Sequence, residues 1–207
     1  MFAPGSGRTL GPVGAVLAVF VALTAARLVE ILPGLLVVLL LAALFVFLLV
    51  FLRDPDRPVG EGIVSAADGR VRAVETQDGR CVISVFMNVS DVHVNRVPMD
   101  ARVVSTRGEG QGHQPAYRPA AQGNVQRRYE LSTAVGSVEV VQVTGIFARR
   151  LVSFVGPGAD LRKGDRFGMI ALGSRVDVRL PAGRVIPTVR VGDRVRAGTT
   201  TIARELP

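Results

Sequence analysis

Two histidines, one cysteine and three Gly-Ser pairs are the scarce chemical features of a 207-residue chain otherwise dominated by arginine and apolar residues. Histidine is the ordinary side chain for proton transfer near neutral pH. His93 lies in "SDVHVNRVP", two residues after Asp91 and two before Asn95. It reads either as a hydrogen-bonded histidine at a strand end or as a catalytic one, and the local pattern favours the former. His113 sits in a glycine-rich loop and reads as exposed. Two histidines are too few for a histidine-rich metal site, and their spacing to acids forms no metal-ligand pattern. The single Cys81, in "CVISVFM", excludes an internal disulfide and reads as a small buried hydrophobe. Of the Gly-Ser pairs, Gly5-Ser6 is in a tail and Gly136-Ser137 in a turn. Gly173-Ser174 differs because it separates "RFGMIAL" from "RVDVRLP", so its backbone is anchored on both sides. It is no nucleophile elbow: G-x-S-x-G is absent and a strand-like segment follows. Local pattern alone supports a glycine hinge there, with self-cleavage the minority reading.

The elements that must position these residues read as short strands. "GRVRAVE", "RCVISVFM", "ARVVSTR", "SVEVVQVTG", "RVDVRLP" and "RVIPTVRVG" alternate or run nearly solid with apolar residues. Between them "ADGR", "QDGR" and "PAGR" supply turn chemistry. One helix is expected in "IFARRLVSFV", where Phe147, Leu151 and Val155 recur at spacing four. "RKGDRFGMI" and "RVGDRVRAG" repeat Gly-Asp-Arg at 164–166 and 192–194, as β-hairpin turns do. "STRGEGQGHQPAYRPAAQGN" reads as one long polar loop. The expected fold is mainly β (α+β), a compact barrel-like sandwich over residues 53–207 with few helices.

Residues 1–52 are of another kind. Leu10–Ala26 carries no charge, and Ile31–Leu52 is a second uncharged run of 22 residues, enough to cross roughly 30 Å of hydrocarbon. The pair reads as a transmembrane helical hairpin; the first run's Gly11, Pro12 and Gly14 leave open a segment near the interface. A cleaved signal peptide would not free the chain, because the longer run follows at once. Arg8, Arg53 and Arg57 on one side put the C-terminal domain in the cytoplasm by the positive-inside bias. Residues 1–52 carry a net +1, leaving +7 of the total +8 on the polar part. A basic domain beside a bilayer meets anionic headgroups first. No recognition-helix or zinc spacing supports nucleic acid as the partner.

Taken together, "FLRDPDR", "SAADGRV", "SVFMNVSDVHVNRVP", "GIFARRL" and "GMIALGSRVDVRLP" resemble the phosphatidylserine decarboxylase family in its short bacterial and archaeal form, from about Phe51 to Ala203. The resemblance implies a proenzyme that breaks its own Gly173-Ser174 bond. The Ser174 hydroxyl attacks the Gly173 carbonyl, elimination frees a C-terminus at Gly173, and loss of ammonia turns residue 174 into a covalent pyruvoyl group (pyruvate) serving as cofactor. The fragments 1–173 and 174–207 would stay associated. The serine amine of phosphatidylserine would then form a Schiff base with the pyruvoyl carbonyl, which accepts the electrons released with carbon dioxide. The product is phosphatidylethanolamine.

The same resemblance assigns Asp68, His93 and Ser174 as an Asp-His-Ser arrangement, with His93 also protonating the carbanion equivalent. Arg149 or Arg150 is a candidate partner for the lipid phosphate through charge-assisted hydrogen bonds, and both read equally as solvated helix arginines. Asp91 and Arg96 are further candidates on the substrate side, and Asp91 is an alternative acid for His93. The chain departs from the longer members at Arg96, where they carry a second histidine, and at Ala66, where proline is common; the family's Asn-Glu-Arg run is blurred around Asn124 and Arg127. Two other readings stay open: a non-enzymatic membrane-anchored β-domain scaffold, and a serine hydrolase using Ser174, His93 and Asp68 without self-cleavage. Association into a homo-oligomer is left open by the sequence.

Overall fold

The computed structural model describes every residue except 113, 117–120, 122, 147–150, 171–173 and 207, so His113, Arg149, Arg150 and Gly173 lie outside the described residues. The chain divides into two compact units, Met1–Pro55 and Asp56–Pro207. In the first, the two uncharged runs become helices α1 (Gly7–Ala25) and α2 (Ile31–Phe51). Both are long and apolar enough to cross a bilayer. The turn after α1 is closed at Arg27, whose φ of 56° is left-handed, with the Leu28 N–H donating to the Leu23 carbonyl at 3.0 Å. That six-to-one bond ends a helix by satisfying a carbonyl of its last turn.

The second unit is built from strands β1 (Ile63–Val64), β2 (Gly69–Gln77), β3 (Arg80–Met87), β4 (Val94–Arg96), β5 (Ala101–Glu109), β6 (Gln126–Thr133) and β7 (Gly136–Val143). They are followed by β8 (Leu151–Ser153), β9 (Asp160–Leu161), β10 (Arg166–Ile170), β11 (Ser174–Pro181), β12 (Val185–Pro187), β13 (Arg194–Val195) and β14 (Thr201–Glu205). Among the described residues they form three sheets. An eight-stranded sheet runs β13-β2-β3-β11-β7-β6-β5-β9 and curls into a half-barrel, with β4-β10-β8 and β1-β14-β12 as smaller sheets. The expected β-rich architecture behind two apolar helices is therefore what forms.

Period-two alternation explains the central strand. Along β11, Val176, Val178 and Leu180 are fully buried in the main core, while Arg175, Asp177 and Arg179 face the other way. Their direct partners on β3 are Val85, Ile83 and Cys81, so the inner face continues across the sheet. Cys81 is buried and free, and burial pushes its thiol pKa up. The "QDGR" turn is a two-residue hairpin with Asp78 and Gly79 at φ of 52° and 73°, the left-handed pair that matches strand twist. The repeated Gly-Asp-Arg turns are built alike: Asp165 accepts the Arg162 N–H and Asp193 the Arg190 N–H, each at 2.8 Å.

Two sequence expectations are corrected. The helix expected over "IFARRLVSFV" does not form where the structure describes it, because Leu151–Ser153 is β8, paired antiparallel with Ile170, Met169 and Gly168 of β10. An available strand edge outweighs a helical spacing of apolar residues; Phe147 to Arg150 lie outside the described residues. The polar loop begins later than expected. Ser105–Glu109 extend β5 and pair with Glu130 back to Gln126 of β6, a hairpin end that needs few apolar residues because little of it is buried.

Gly69 opens β2 at φ 141°, and a Cβ there would stand 2.0 Å from the Phe86 carbonyl oxygen. Gly69→Ala is expected to cost about 2 kcal/mol or more of folding stability, whereas Gly183→Ala, with nothing within 4 Å, stays near neutral. Thermal melts of the full chain in detergent check both.

Candidate active site

Ser174 is the first residue of β11 and has no exposed surface. Its register partner is Met87 at the end of β3, and in antiparallel strands such partners share a face. The Ser174 hydroxyl accordingly lies 3.4 Å from the Met87 Sδ, a weak acceptor that does not tie the proton up strongly. The same sulfur receives the Asn95 Nδ2 at 3.7 Å.

His93 immediately precedes β4 and is fully buried. Its own carbonyl accepts the Ile170 N–H at 3.2 Å, and its Nδ1 lies 2.8 Å from the Asp91 backbone carbonyl oxygen. A carbonyl can only accept, so Nδ1 carries the hydrogen of that bond. In the neutral ring the lone pair then resides on Nε2. The Asp91 carboxylate is used elsewhere, accepting the Asn88 N–H at 2.8 Å and closing the 88–91 turn. Asp91 thus orients the imidazole through its backbone, not through its acid.

His93 and Ser174 are linked by two short paths. Met87, opposite Ser174, precedes His93 by six residues, and Ile170, bonded to His93, precedes Ser174 by four. Asp68 has different neighbours. It forms a two-point ion pair with Arg57, one bond of which is Arg57 Nη2 to Asp68 Oδ2 at 2.8 Å, and accepts the Ala197 N–H at 2.8 Å. These contacts tie the start of β2 to the segment at Arg57 and to the turn after β13. Arg96 is buried and donates to the Gly164 carbonyl at 3.1 Å, which fixes β4 to the 162–165 turn.

Sequence reading missed Met87, Asn95, Arg57 and Gln142. The available signal was polarity out of place: Gln142 in "VVQV" and Asn95 in "HVNR" are amides inside apolar strands. A polar cleft of about 350 Å³, lined by Arg128, Arg175, Asp177 and Arg179 among others, lies on the opposite side of β11 from the inner face that carries Ser174. It is therefore separate from the Ser174–Met87 contact.

A family model for phosphatidylserine decarboxylase matches residues 44–203. A Halobacterium salinarum protein named "Putative archaetidylserine decarboxylase proenzyme" is 47% identical over 78% of this chain and 83% of its own length. Phosphatidylserine decarboxylase proenzymes of Thermobifida fusca and Aromatoleum aromaticum are each 43% identical, over 75% and 79% of this chain and 72% and 80% of their own lengths. The family model and the relatives together define a decarboxylase. Within that class, the chain belongs to the phosphatidylserine decarboxylase family.

The two aspartates should separate in experiment. Asp68→Ala removes the carboxylate paired with the Arg57 charge, whose side chain is 13% exposed, and is expected to lower stability by about 3 kcal/mol. Asp91→Asn keeps both the backbone carbonyl and a side-chain acceptor and is expected to stay within about 0.5 kcal/mol. Urea or thermal unfolding reads both. Buried Cys81 should react with a thiol reagent only after unfolding.

Proposed function

We propose that the chain is a proenzyme that cuts itself between Gly173 and Ser174 and decarboxylates phosphatidylserine to phosphatidylethanolamine. The observation that carries this reading is the placement of Ser174, fully buried at the head of a central strand. Before any cut, an external acyl substrate has no surface through which to reach that hydroxyl, as a serine hydrolase would require; breaking the 173–174 bond frees two chain ends there and would open the way for the lipid's amine. The peptide bond preceding it is always at hand, which gives self-cleavage the advantage of an intramolecular reaction.

In the first step the Ser174 Oγ attacks the Gly173 carbonyl carbon and passes its proton to His93 Nε2. The Gly173–Ser174 C–N bond breaks, and the amine of residue 174 takes a proton as the ester forms. Base-assisted loss of the Ser174 Cα hydrogen expels the Gly173 carboxylate. Water then replaces the nitrogen of residue 174, which departs as ammonia, leaving pyruvoyl 174. A pyruvoyl carbonyl at residue 174 would supply an electron sink for the lipid's serine amine, taking up the electron pair left when carbon dioxide departs. The site fits such a group: the position is enclosed, and Met87 opposite it is apolar and adaptable. His93 is the proton donor to the carbon that loses carbon dioxide. Arg149 and Arg150 are the proposed partners of the lipid phosphate, and Asp68, at the start of β2 beside Phe86 and Met87, is the proposed acid of the Asp-His-Ser arrangement as well as the anchor of that strand.

The sheet explains why the cut would not scatter the protein. Beyond residue 174 the chain supplies β11, paired on both edges with β3 and β7, as well as β13 on β2 and β14 on β1. Fragments 1–173 and 174–207 stay together through these ladders. The apolar helices α1 and α2 would anchor the enzyme at the membrane with its catalytic domain on the cytoplasmic side.

Purified protein given liposomes of phosphatidylserine should release carbon dioxide and form phosphatidylethanolamine, with free serine turned over far more slowly. Ser174→Ala should abolish both self-cleavage and turnover, and His93→Gln should slow self-cleavage by about 10²–10⁴-fold. Equal turnover of free serine would remove the lipid assignment, and full turnover by the Ser174→Ala protein would remove the mechanism.

A further inference from the structure

Behind Ser174 a line of buried polar groups crosses from one sheet to another. The Gln142 Nε2 donates to the Asn95 Oδ1 at 2.7 Å, and the Tyr129 hydroxyl lies 3.3 Å from the Gln142 Oε1. Asn95 in turn reaches the sulfur that the Ser174 hydroxyl also meets. Asn95, Gln142, Ser174 and Met87 have no exposed surface, and Tyr129 has 1%. Removing one partner from such a network leaves a buried amide unsatisfied, so its members hold one another firmly.

The strands involved give the network its meaning. Asn95 is on β4, in the small sheet whose first strand begins directly after His93; Gln142 is on β7, which pairs with the strand that Ser174 opens. Gln142 stands opposite Val176, two residues from Ser174, so it shares the inner face with Ser174. The Asn95–Gln142 bond is thus a pin between the sheet that carries the proposed base and the sheet that carries the proposed nucleophile. Gly168 of β10, paired with Asn95, leaves the space for it. A Cβ there would stand 2.9 Å from the Gln142 Nε2 and 2.7 Å from the Val152 carbonyl oxygen.

We propose that Asn95 and Gln142 are positioning residues for self-cleavage, setting the approach of His93 to Ser174 by bonding β4 to β7. This rests on the reading of Ser174 and His93 as nucleophile and base. Among the described residues neither amide is bonded to Ser174 or His93; a misplacement of about 1 Å at such a pair is enough to cost roughly 10²-fold in rate.

The test follows conversion of the full-length chain by intact mass, from freshly refolded protein, across pH. The variants are Gln142→Met, Asn95→Leu and the double variant, with thermal melts alongside. Each single variant is expected to cleave about 10–100-fold more slowly. The wild-type rate should level off once His93 is neutral, whereas the variants, with the base displaced, should show a rate that keeps climbing with hydroxide. Because both substitutions break one bond, the double variant should be little slower than either single one. Folded single variants that cleave at the wild-type rate with the wild-type pH profile would overturn the proposal, as would additive slowing with that profile unchanged. Should a variant fail to fold, Gln142→Glu keeps the shape and the acceptor for Tyr129 while losing the amide donor, and normal cleavage there would equally overturn it. A wild-type chain that never cleaves would instead defeat the underlying reading of Ser174.

Discussion

The pairing of β11 along both of its edges is the constraint on which the molecule depends. Eight registered pairs join it to β3 and five join it to β7. A strand so placed cannot shift by one residue without turning Val176, Val178 and Leu180 out of the core and bringing arginines in. Its first residue is therefore fixed both in position and in the face it presents. That residue is Ser174. The same ladder that gives the fold its centre thereby delivers a hydroxyl to a dry, predetermined point opposite Met87.

A second constraint follows from the division into sheets. The histidine that could act on Ser174 lies at the start of a different sheet, so the fold must hold one sheet against the other with more precision than apolar packing alone provides. Core side chains of suitable volume tolerate rearrangement. Directional bonds tolerate less. The Asn95–Gln142 amide bond, the Ile170–His93 backbone bond and the Asp91 carbonyl at the imidazole supply that direction. Asp68 and Arg57 perform a comparable service at the start of β2, beside Phe86 and Met87 of β3, where an ion pair with a backbone donor anchors the strand.

Much of this arrangement was legible in the sequence, and the unreadable parts have physical reasons. The two uncharged runs announced α1 and α2, and alternation announced β2, β3, β5, β7 and β11, because their burial on one face leaves a period-two trace. β8 reads as helix in the sequence because Leu151 continues a helical spacing toward Val155, and only the presence of β10 makes Leu151–Ser153 a strand. β4, β9 and β13 are two or three residues long and leave no periodic trace at all. Gly173-Ser174 was found by the family-like blocks around it, since local pattern showed only a hinge. Asp68 was singled out, but its partner Arg57 was not: the Asp-Gly dipeptide reads as a turn, and nothing local indicates that a distant arginine closes on it. The amides Asn95 and Gln142 were visible as polar residues in apolar strands, yet their meeting depends on two sheets that the sequence does not order.

The central claim is that Ser174 is consumed to make the reactive group, and that the resulting pieces are held by the strands described above. Intact-mass measurement of the purified protein, unfolded in denaturant and treated with a carbonyl reagent, tests it most directly. The account requires two chains, 1–173 and 174–207, with the second lacking a free N-terminal amine and gaining the reagent's mass. A single unmodified chain of 207 residues in a preparation that decarboxylates phosphatidylserine would contradict it.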